Sequence, residues 1–189
     1  MDQETPPVER FFGYGSLVNT ATHGYADIRA DTVPGWRRVW VQNSRRPVAF
    51  LSVHPASGAR IEGLTASVRG VGWEELDRRE AAYDRLTLPD PHGRVAIYRA
   101  SPAFVAPSDL GQAILLSYLD VVVQGFLRVY GEPGVARFFD TTDGWTTPVR
   151  DDRADPVYPR AQVLTPQEAA LVDHHLGRLS VRLVGGHKS

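Results

Sequence analysis

The sequence has no cysteine, which excludes disulfide bonds, thiol catalysis and thiolate metal sites. It also has no excess of either charge, because 21 Lys and Arg residues face 22 Asp and Glu residues. This balance lacks the basic signature of a nucleic-acid-binding protein. No apolar run approaches the length that crosses a membrane. We therefore expect a soluble cytoplasmic protein that binds neither nucleic acid nor a membrane.

The length of 189 residues fits one domain, or one domain with an extension, and 42% hydrophobic residues suit an ordinary globular core. The first ten residues are polar, include Pro6 and Pro7, and lack the apolar stretch of a secretory signal. Nothing in the sequence indicates an oligomeric state.

Short segments rich in aromatic and β-branched residues predict strands at hairpin spacing. They cover Phe11–Tyr14, Gly35–Val41, Val48–Val53, Ile61–Val68 and Arg94–Ala100. This spacing favours a mixed, mainly antiparallel sheet that is partly closed or barrel-like. We expect Pro55 and Gly58 to end the Val48–Val53 strand. The pairs Arg37-Arg38 and Arg45-Arg46 are interpreted as solvated strand and turn faces.

Helical patterns predict helices that flank this sheet, so the fold class is α+β. The helices cover Gly72–Tyr83, Asp109–Tyr130, Gly131–Asp140 and a last segment ending near Leu179. Ser108 is placed to cap the second helix, which is apolar nearly all round and therefore buried. Thr165, Pro166 and Glu168 form a strong start for the last helix: an N-cap, a proline at the first position and a capping-box glutamate.

The stretch Phe11–Asn19 contains two glycines around Tyr14 directly after the first strand. Such a turn can aim several backbone N–H groups at one point and form an anion site. A plain strand-to-loop turn explains the same glycines. The stretch lacks the Gly-Lys-Ser/Thr of a P-loop and the third glycine of a dinucleotide site. It is not the Gly-x-Ser-x-Gly of esterases either, so Ser16 is a poor candidate nucleophile.

A second candidate is Glu80, which helical spacing places on one face with Trp73, Leu76 and Tyr83. A carboxylate in an apolar stripe is costly and needs a reason. One reading is that Glu80 lies at the edge of the stripe and pairs with an arginine such as Arg79 or Arg85. The other is that it is a catalytic group, with Arg79 pointing to another face.

The string Tyr14-Gly15-Ser16-Leu17 resembles the N-terminal signature of the gamma-glutamylcyclotransferase superfamily, which includes the ChaC-type enzymes. Arg79-Glu80-Ala81-Ala82-Tyr83 is similar to that family's second marker. Tyr118 with Gly125 resembles the setting of a pocket-lining tyrosine, although a core tyrosine fits equally well. The resemblance covers about residues 10–130. We therefore expect a single domain over 1–189, with its core over 10–130 and a C-terminal extension of loop and helix over 141–189.

The resemblance implies a reaction in which the α-amine of a γ-glutamyl amide attacks the γ-carbonyl and releases 5-oxoproline. Glu80 would be the catalytic acid–base, and a small-molecule γ-glutamyl substrate would bind at Tyr14, Gly15, Ser16, Leu17 and Tyr118. No metal and no cofactor are implied.

Two departures leave the substrate open. Leu17 stands where mammalian-type enzymes have Asn, and no Trp lies near Asn19. Glutathione, γ-glutamyl amino acids and γ-glutamyl side groups of a biosynthetic intermediate all stay possible, as does a non-catalytic relative that only binds a small molecule. The segment Thr141–Ala161 matches no family pattern. It is either a surface loop or a specificity segment in which Arg150, Arg153 or Arg160 reaches the pocket.

Overall fold

A computed structural model describes residues 9–88 and 95–185. They form a large sheet, a small sheet and three α-helices. The strands are β1 (Arg10–Gly13), β2 (Ala26–Asn43), β3 (Phe50–Ser67), β4 (Tyr83–Thr87), β5 (Val95–Ala100), β6 (Val105–Ala106), β7 (Ile114–Leu115), β8 (Thr142–Asp143), β9 (Val149–Asp151) and β10 (Leu183–Gly185). The helices are α1 (Trp73–Arg79), α2 (Leu116–Asp140) and α3 (Pro166–Arg178).

The large sheet has the order β4-β5-β1-β3-β2-β6, and β8 also pairs with β2. Four of its pairings are antiparallel, while β1–β5 and β2–β8 are parallel. The small sheet, β10-β9-β7, is parallel. The prediction of a mainly antiparallel α+β fold with flanking helices is confirmed. The sheet is open, however, with β4 and β6 at its two edges, so the expected partial barrel does not form.

The two longest strands, β2 and β3, form one extended hairpin. Pro55 and Gly58 do not end a strand there, as the sequence had suggested, because they lie inside β3. The register shifts between Pro34 and Trp36, and Gly58 has a φ of +76°. This irregularity accommodates the extra residues of β3, and the pairing continues on both sides of it, at Pro34–Arg60 and at Trp36–Pro55.

Helix α1 is shorter than its periodicity predicts. It ends at Arg79, and Glu80 is the C-cap with φ −99° and ψ 32°. Tyr83 is already the first residue of β4 and pairs with Ala100 of β5. Pairing with the sheet therefore overrides the helical pattern, and Glu80 and Tyr83 do not share a helical face with Trp73.

Helix α2 begins at Leu116, so Ser108 does not cap it as predicted. Gly131, at φ 67° and ψ −174°, breaks α2 into two helical parts, and the second part is the helix expected near Gly131–Asp140. The capping box of α3 is present: Glu168 N donates to Thr165 Oγ1 at 3.2 Å, and Thr165 N donates to Glu168 Oε2 at 2.8 Å.

The buried part of α2 packs against the segment that follows β1. A Cβ added at Gly125 would lie 2.6 Å from the backbone N of Asn19. Asn19 is fully buried and donates through Nδ2 to the Val121 carbonyl and to Gln124 Oε1, both at 2.9 Å. The helix therefore holds the loop in place through contacts that only glycine permits.

The boundary between the core and the C-terminal extension stays a prediction. Strands β8 and β9 lie in the predicted extension, and they join the large and the small sheet respectively. Across residues 9–88 and 95–185, no helix is long and apolar enough to cross a membrane.

Candidate active site

The loop after β1 turns through two short 3₁₀ segments, Ser16–Val18 and Thr20–Thr22. Gly15 lies closest to the opposite wall, because a Cβ there would be 2.8 Å from the Tyr118 hydroxyl oxygen and 3.2 Å from Leu51 Cδ2. Both distances are shorter than ordinary van der Waals contact. This packing therefore requires a glycine at position 15, because a side chain there would be too close to Tyr118 and Leu51.

A small cavity of about 30 Å³ lies between this loop and the sheet. Residues 12–17, Leu51, Glu80, Tyr83 and Tyr118 line it. The structure thus brings together all of the residues that the sequence suggested for the site: Tyr14, Gly15, Ser16, Leu17, Glu80 and Tyr118. A volume of about 30 Å³ leaves room for only one or two water molecules.

Glu80 is the carboxylate of this cavity, and its side chain is 15% exposed. Burial raises the pKa of Glu80, while the positive charges of Arg79 and Arg160 act in the opposite direction. Glu80 Oε1 lies 3.2 Å from Arg79 Nε. The expectation that Arg79 points to another face is therefore wrong. The helix ends between the two residues, and the non-helical backbone of Glu80 brings their side chains together.

Arg79 also connects α1 to the glycine loop. Its side chain is 8% exposed, and its guanidinium donates to the Thr22 carbonyl at 3.0 Å and to Thr22 Oγ1 at 3.1 Å. Two distant segments therefore meet at one buried cation, which fixes the position of the neighbouring Glu80 carboxylate.

Three tyrosines surround the cavity, and burial raises the pKa of each. Tyr14 donates to the Tyr98 carbonyl at 2.6 Å, and Tyr83 donates to the Leu51 carbonyl at 2.8 Å. For Tyr118, the Ser16 backbone acts against the effect of burial and lowers the pKa. All three phenols are therefore neutral at physiological pH and act as hydrogen-bonding groups, whereas Glu80 is the group that can exchange a proton.

Arg38 binds the backbone of the loop after β1, and the sequence analysis did not predict this role. It was interpreted as solvated but is fully buried, with its guanidinium 4.9 Å from the Phe126 ring centre and 5.1 Å from that of Phe138. It donates to the Tyr14 carbonyl at 2.9 Å, to Thr141 Oγ1 at 2.8 Å and to the Glu62 carbonyl.

Burial lowers the pKa of Arg38 to about 9, so it remains a cation near neutrality. The signal was available in the sequence, since side chains alternate along a strand and Arg38 shares a face with the buried Trp40.

The Arg38 contact also fixes the peptide group between Tyr14 and Gly15. A peptide is planar, so a carbonyl held on one side sets the direction of the N–H on the other. The Gly15 N–H has no hydrogen-bond partner within the described part of the chain. A charged donor on the carbonyl also polarises the peptide and strengthens its N–H as a donor.

A larger cleft of about 820 Å³ adjoins the loop and α1. It is lined by Thr22, His23, Gly24, Tyr25, Val71, Glu75, Arg78, Arg79 and Arg160. His23 is partly buried, with Nε2 2.9 Å from the Leu17 carbonyl oxygen. Burial lowers the pKa of His23, so its ring is neutral near pH 7.

Only one of the three arginines suggested for the C-terminal segment lies at this cleft. Arg160 lines it, whereas Arg150 lies in β9 and lines neither the cleft nor the small cavity. Arg153 is engaged elsewhere, with ion pairs of 2.8 Å to both Asp120 and Asp173. Over the residues that the structure describes, no group of three or more His, Asp or Glu residues is arranged to hold a metal ion.

Comparison with known proteins gives a likeness in structure only. No protein-family model matches the chain, and no curated protein matches it in sequence. An uncharacterized protein from Homo sapiens superposes with a TM-score of 0.54 and 10% identity, over 87% of this chain and 98% of that one. A gamma-glutamyl cyclotransferase gives 0.52 and 10%, over 88% and 98%.

A third structure, YkqA from Bacillus subtilis, gives a TM-score of 0.50 and 14% identity. The match covers 96% of this chain but 57% of YkqA. At these identities the likeness is one of fold. The chain therefore has the gamma-glutamyl cyclotransferase-like fold.

Proposed function

We propose that this protein is a gamma-glutamyl cyclotransferase-type enzyme that cleaves a γ-glutamyl amide and releases 5-oxoproline with an amine or amino acid. The observation that carries the proposal is the position of Glu80, a buried carboxylate that faces the Tyr14–Leu17 loop in one cavity. An intramolecular acyl transfer requires a general base for the attacking amine and hydrogen-bond donors for the oxyanion, and Glu80 and the loop backbone can supply them.

The reaction consists of one nucleophilic attack by the substrate nitrogen and two proton transfers, one to Glu80 and one from it. The neutral α-amine of the substrate attacks the γ-carbonyl carbon and closes a five-membered ring, while Glu80 accepts a proton from the attacking nitrogen. The carbonyl oxygen becomes an oxyanion that accepts a hydrogen bond from the Gly15 N–H. When the intermediate collapses, the bond to the leaving nitrogen breaks, and Glu80 returns the proton to that nitrogen.

Preorganisation of the substrate and the catalytic groups supplies much of the remaining rate enhancement. The flexible glutamyl chain must be folded into attack geometry, and such positioning is worth up to about 7–11 kcal/mol. Arg38 fixes the donor peptide, and Arg79 fixes the Glu80 carboxylate. A γ-glutamyl group is larger than the one or two water molecules that the cavity accommodates, so substrate binding requires the loop or the Arg79–Glu80 pair to move.

The small cavity favours a second candidate function. A protein whose pocket stays closed around the Arg79–Glu80 pair would bind a small ligand in the adjoining cleft without turning it over. This non-catalytic alternative predicts saturable binding with no product.

The test is to incubate the purified protein with glutathione and a panel of γ-glutamyl amino acids and to quantify 5-oxoproline by mass spectrometry. The proposal expects release that depends on enzyme concentration and is lost in Glu80→Gln. Binding by calorimetry without 5-oxoproline from any substrate would replace the proposal with the non-catalytic function. Equal release by Glu80→Gln would remove Glu80 from the mechanism.

A further inference from the structure

We infer that the cleft beside the cavity binds a carboxylate on the leaving group, and that Arg160 recognises it. The substrate would then be a γ-glutamyl amino acid or peptide, in preference to a γ-glutamyl derivative of an uncharged amine. The inference rests on the proposed function, and it assigns a role to the segment Thr141–Ala161.

The Arg79–Glu80 ion pair stands between the two spaces, because Arg79 lines the large cleft and Glu80 lines the small cavity. Once the pair opens, a substrate whose reacting carbonyl lies at Glu80 extends its remaining part into the cleft. The cleft volume of about 820 Å³ lies within the range of about 300–1,000 Å³ that is usual for small-molecule sites.

The cleft also carries an excess of positive charge. The cleft has three arginines and one carboxylate, Glu75. Arg79 is engaged by Glu80 and Thr22, and Arg78 has an exposed partner in Glu74.

The Arg160 guanidinium, by contrast, has no hydrogen bond or ion pair within residues 9–88 and 95–185. The positive charge of Arg160 also acts on Glu80, because it lowers the pKa of that carboxyl. A planar guanidinium with free donors suits a carboxylate.

The segment before Arg160 is held in place by hydrogen bonds. The Asp152 carboxylate accepts hydrogen bonds from Ser117 N at 2.8 Å, Ser117 Oγ at 2.6 Å and Val157 N at 2.9 Å. The Tyr158 ring packs edge-to-face on Tyr118, with ring centres 5.0 Å apart. Arg160 therefore follows, by two residues, a tyrosine that packs on the wall of the candidate site.

The test compares two substrates that differ by one charge, γ-glutamyl-alanine and γ-glutamyl-alaninamide. For Arg160→Gln we expect kcat/KM to fall about 10–100-fold with the carboxylate substrate, the range of a lost hydrogen bond to a charged group. With the amide, the change should stay within about threefold. Arg160→Lys should recover part of the loss, since it restores the charge. Arg150→Gln, on the same segment but away from both cavities, is the matched control.

An equal loss with both substrates, or no loss with either, would overturn the inference. If the wild-type protein releases no 5-oxoproline from either substrate, the proposed function fails, and calorimetry then decides the inference alone. Tighter binding of γ-glutamyl-alanine than of the amide, abolished by Arg160→Gln, would support the carboxylate site without the reaction. Equal affinities would overturn it.

Discussion

Arg38 Nε lies 2.9 Å from the carbonyl oxygen of Tyr14, so a fully buried cation holds the backbone of the glycine loop. Replacing Arg38 with Met leaves three oxygens without this donor. Each buried acceptor that loses its partner costs about 1–3 kcal/mol, so we expect the free energy of unfolding to fall by about 3 kcal/mol or more. Chemical denaturation measures the change.

The neighbouring Arg37 offers a matched control. Its ion pair with Asp143 is 30% and 41% exposed, so Arg37→Met should cost at most about 1 kcal/mol. Arg38→Lys retains the charge but not the fork of donors, and at temperatures where it is folded it should lower kcat more than it raises KM. Stabilities of Arg38→Met and Arg37→Met that match would contradict the supporting role of Arg38.

Glu80→Gln should lower kcat by about 10²–10⁴-fold, because glutamine cannot accept the amine proton. It also leaves the buried Arg79 with a neutral partner, so we expect a loss of about 1–3 kcal/mol in stability. Steady-state release of 5-oxoproline and thermal unfolding check the two effects.

The control for this variant is Glu74→Gln, which removes an exposed carboxylate from the same helix. It should leave both activity and stability within experimental scatter. Near-normal turnover in Glu80→Gln would show that Glu80 is structural.

The pH dependence of kcat/KM should report the Glu80 carboxyl. Burial raises its pKa above the usual 4.5, so activity should fall, as the pH is lowered, at a pH higher than for an exposed glutamate. The other groups that act on Glu80 or feel its charge are Arg79, Arg160 and neutral tyrosines: Tyr14, Tyr25, Tyr83, Tyr98 and Tyr118.

Of these groups, the two arginines lower the pKa of Glu80. Arg160→Gln should therefore move the acid limb of the kcat/KM profile to higher pH. A limb that stays in place, or that moves to lower pH, would mean that the titrating group is not Glu80.

Gly15→Ala should disturb the site chiefly through the shorter of its two close contacts, since its Cβ would lie 2.8 Å from the Tyr118 hydroxyl oxygen. We expect a large loss in kcat/KM and a lower melting temperature. Tyr118→Phe removes the obstructing oxygen, so Gly15→Ala combined with Tyr118→Phe should regain stability relative to Gly15→Ala alone. A double-mutant cycle in melting temperature measures this coupling, and additive effects would contradict the contact.

The sequence predicted the α+β class, the first strand and the α3 capping box because each depends on neighbouring residues. It placed Glu80 on the wrong kind of element, since the pairing of Tyr83 with Ala100 ends helix α1 early. The pairing of Arg79 with Glu80 follows from that ending. Arg38 was judged by its charge, whereas strand alternation with Trp40 decides its burial.

The close approach of Gly125 to Asn19 has a consequence for how the chain folds. Two of the buried contacts that fix the loop after β1 come from residues more than 100 positions later, at Val121 and Gln124. Contacts of such long sequence separation form late and slow the folding of a domain. During synthesis, the loop after β1 therefore cannot reach its final conformation until α2 has left the ribosome. Although it is made first, this loop is among the last parts of the site to become ordered.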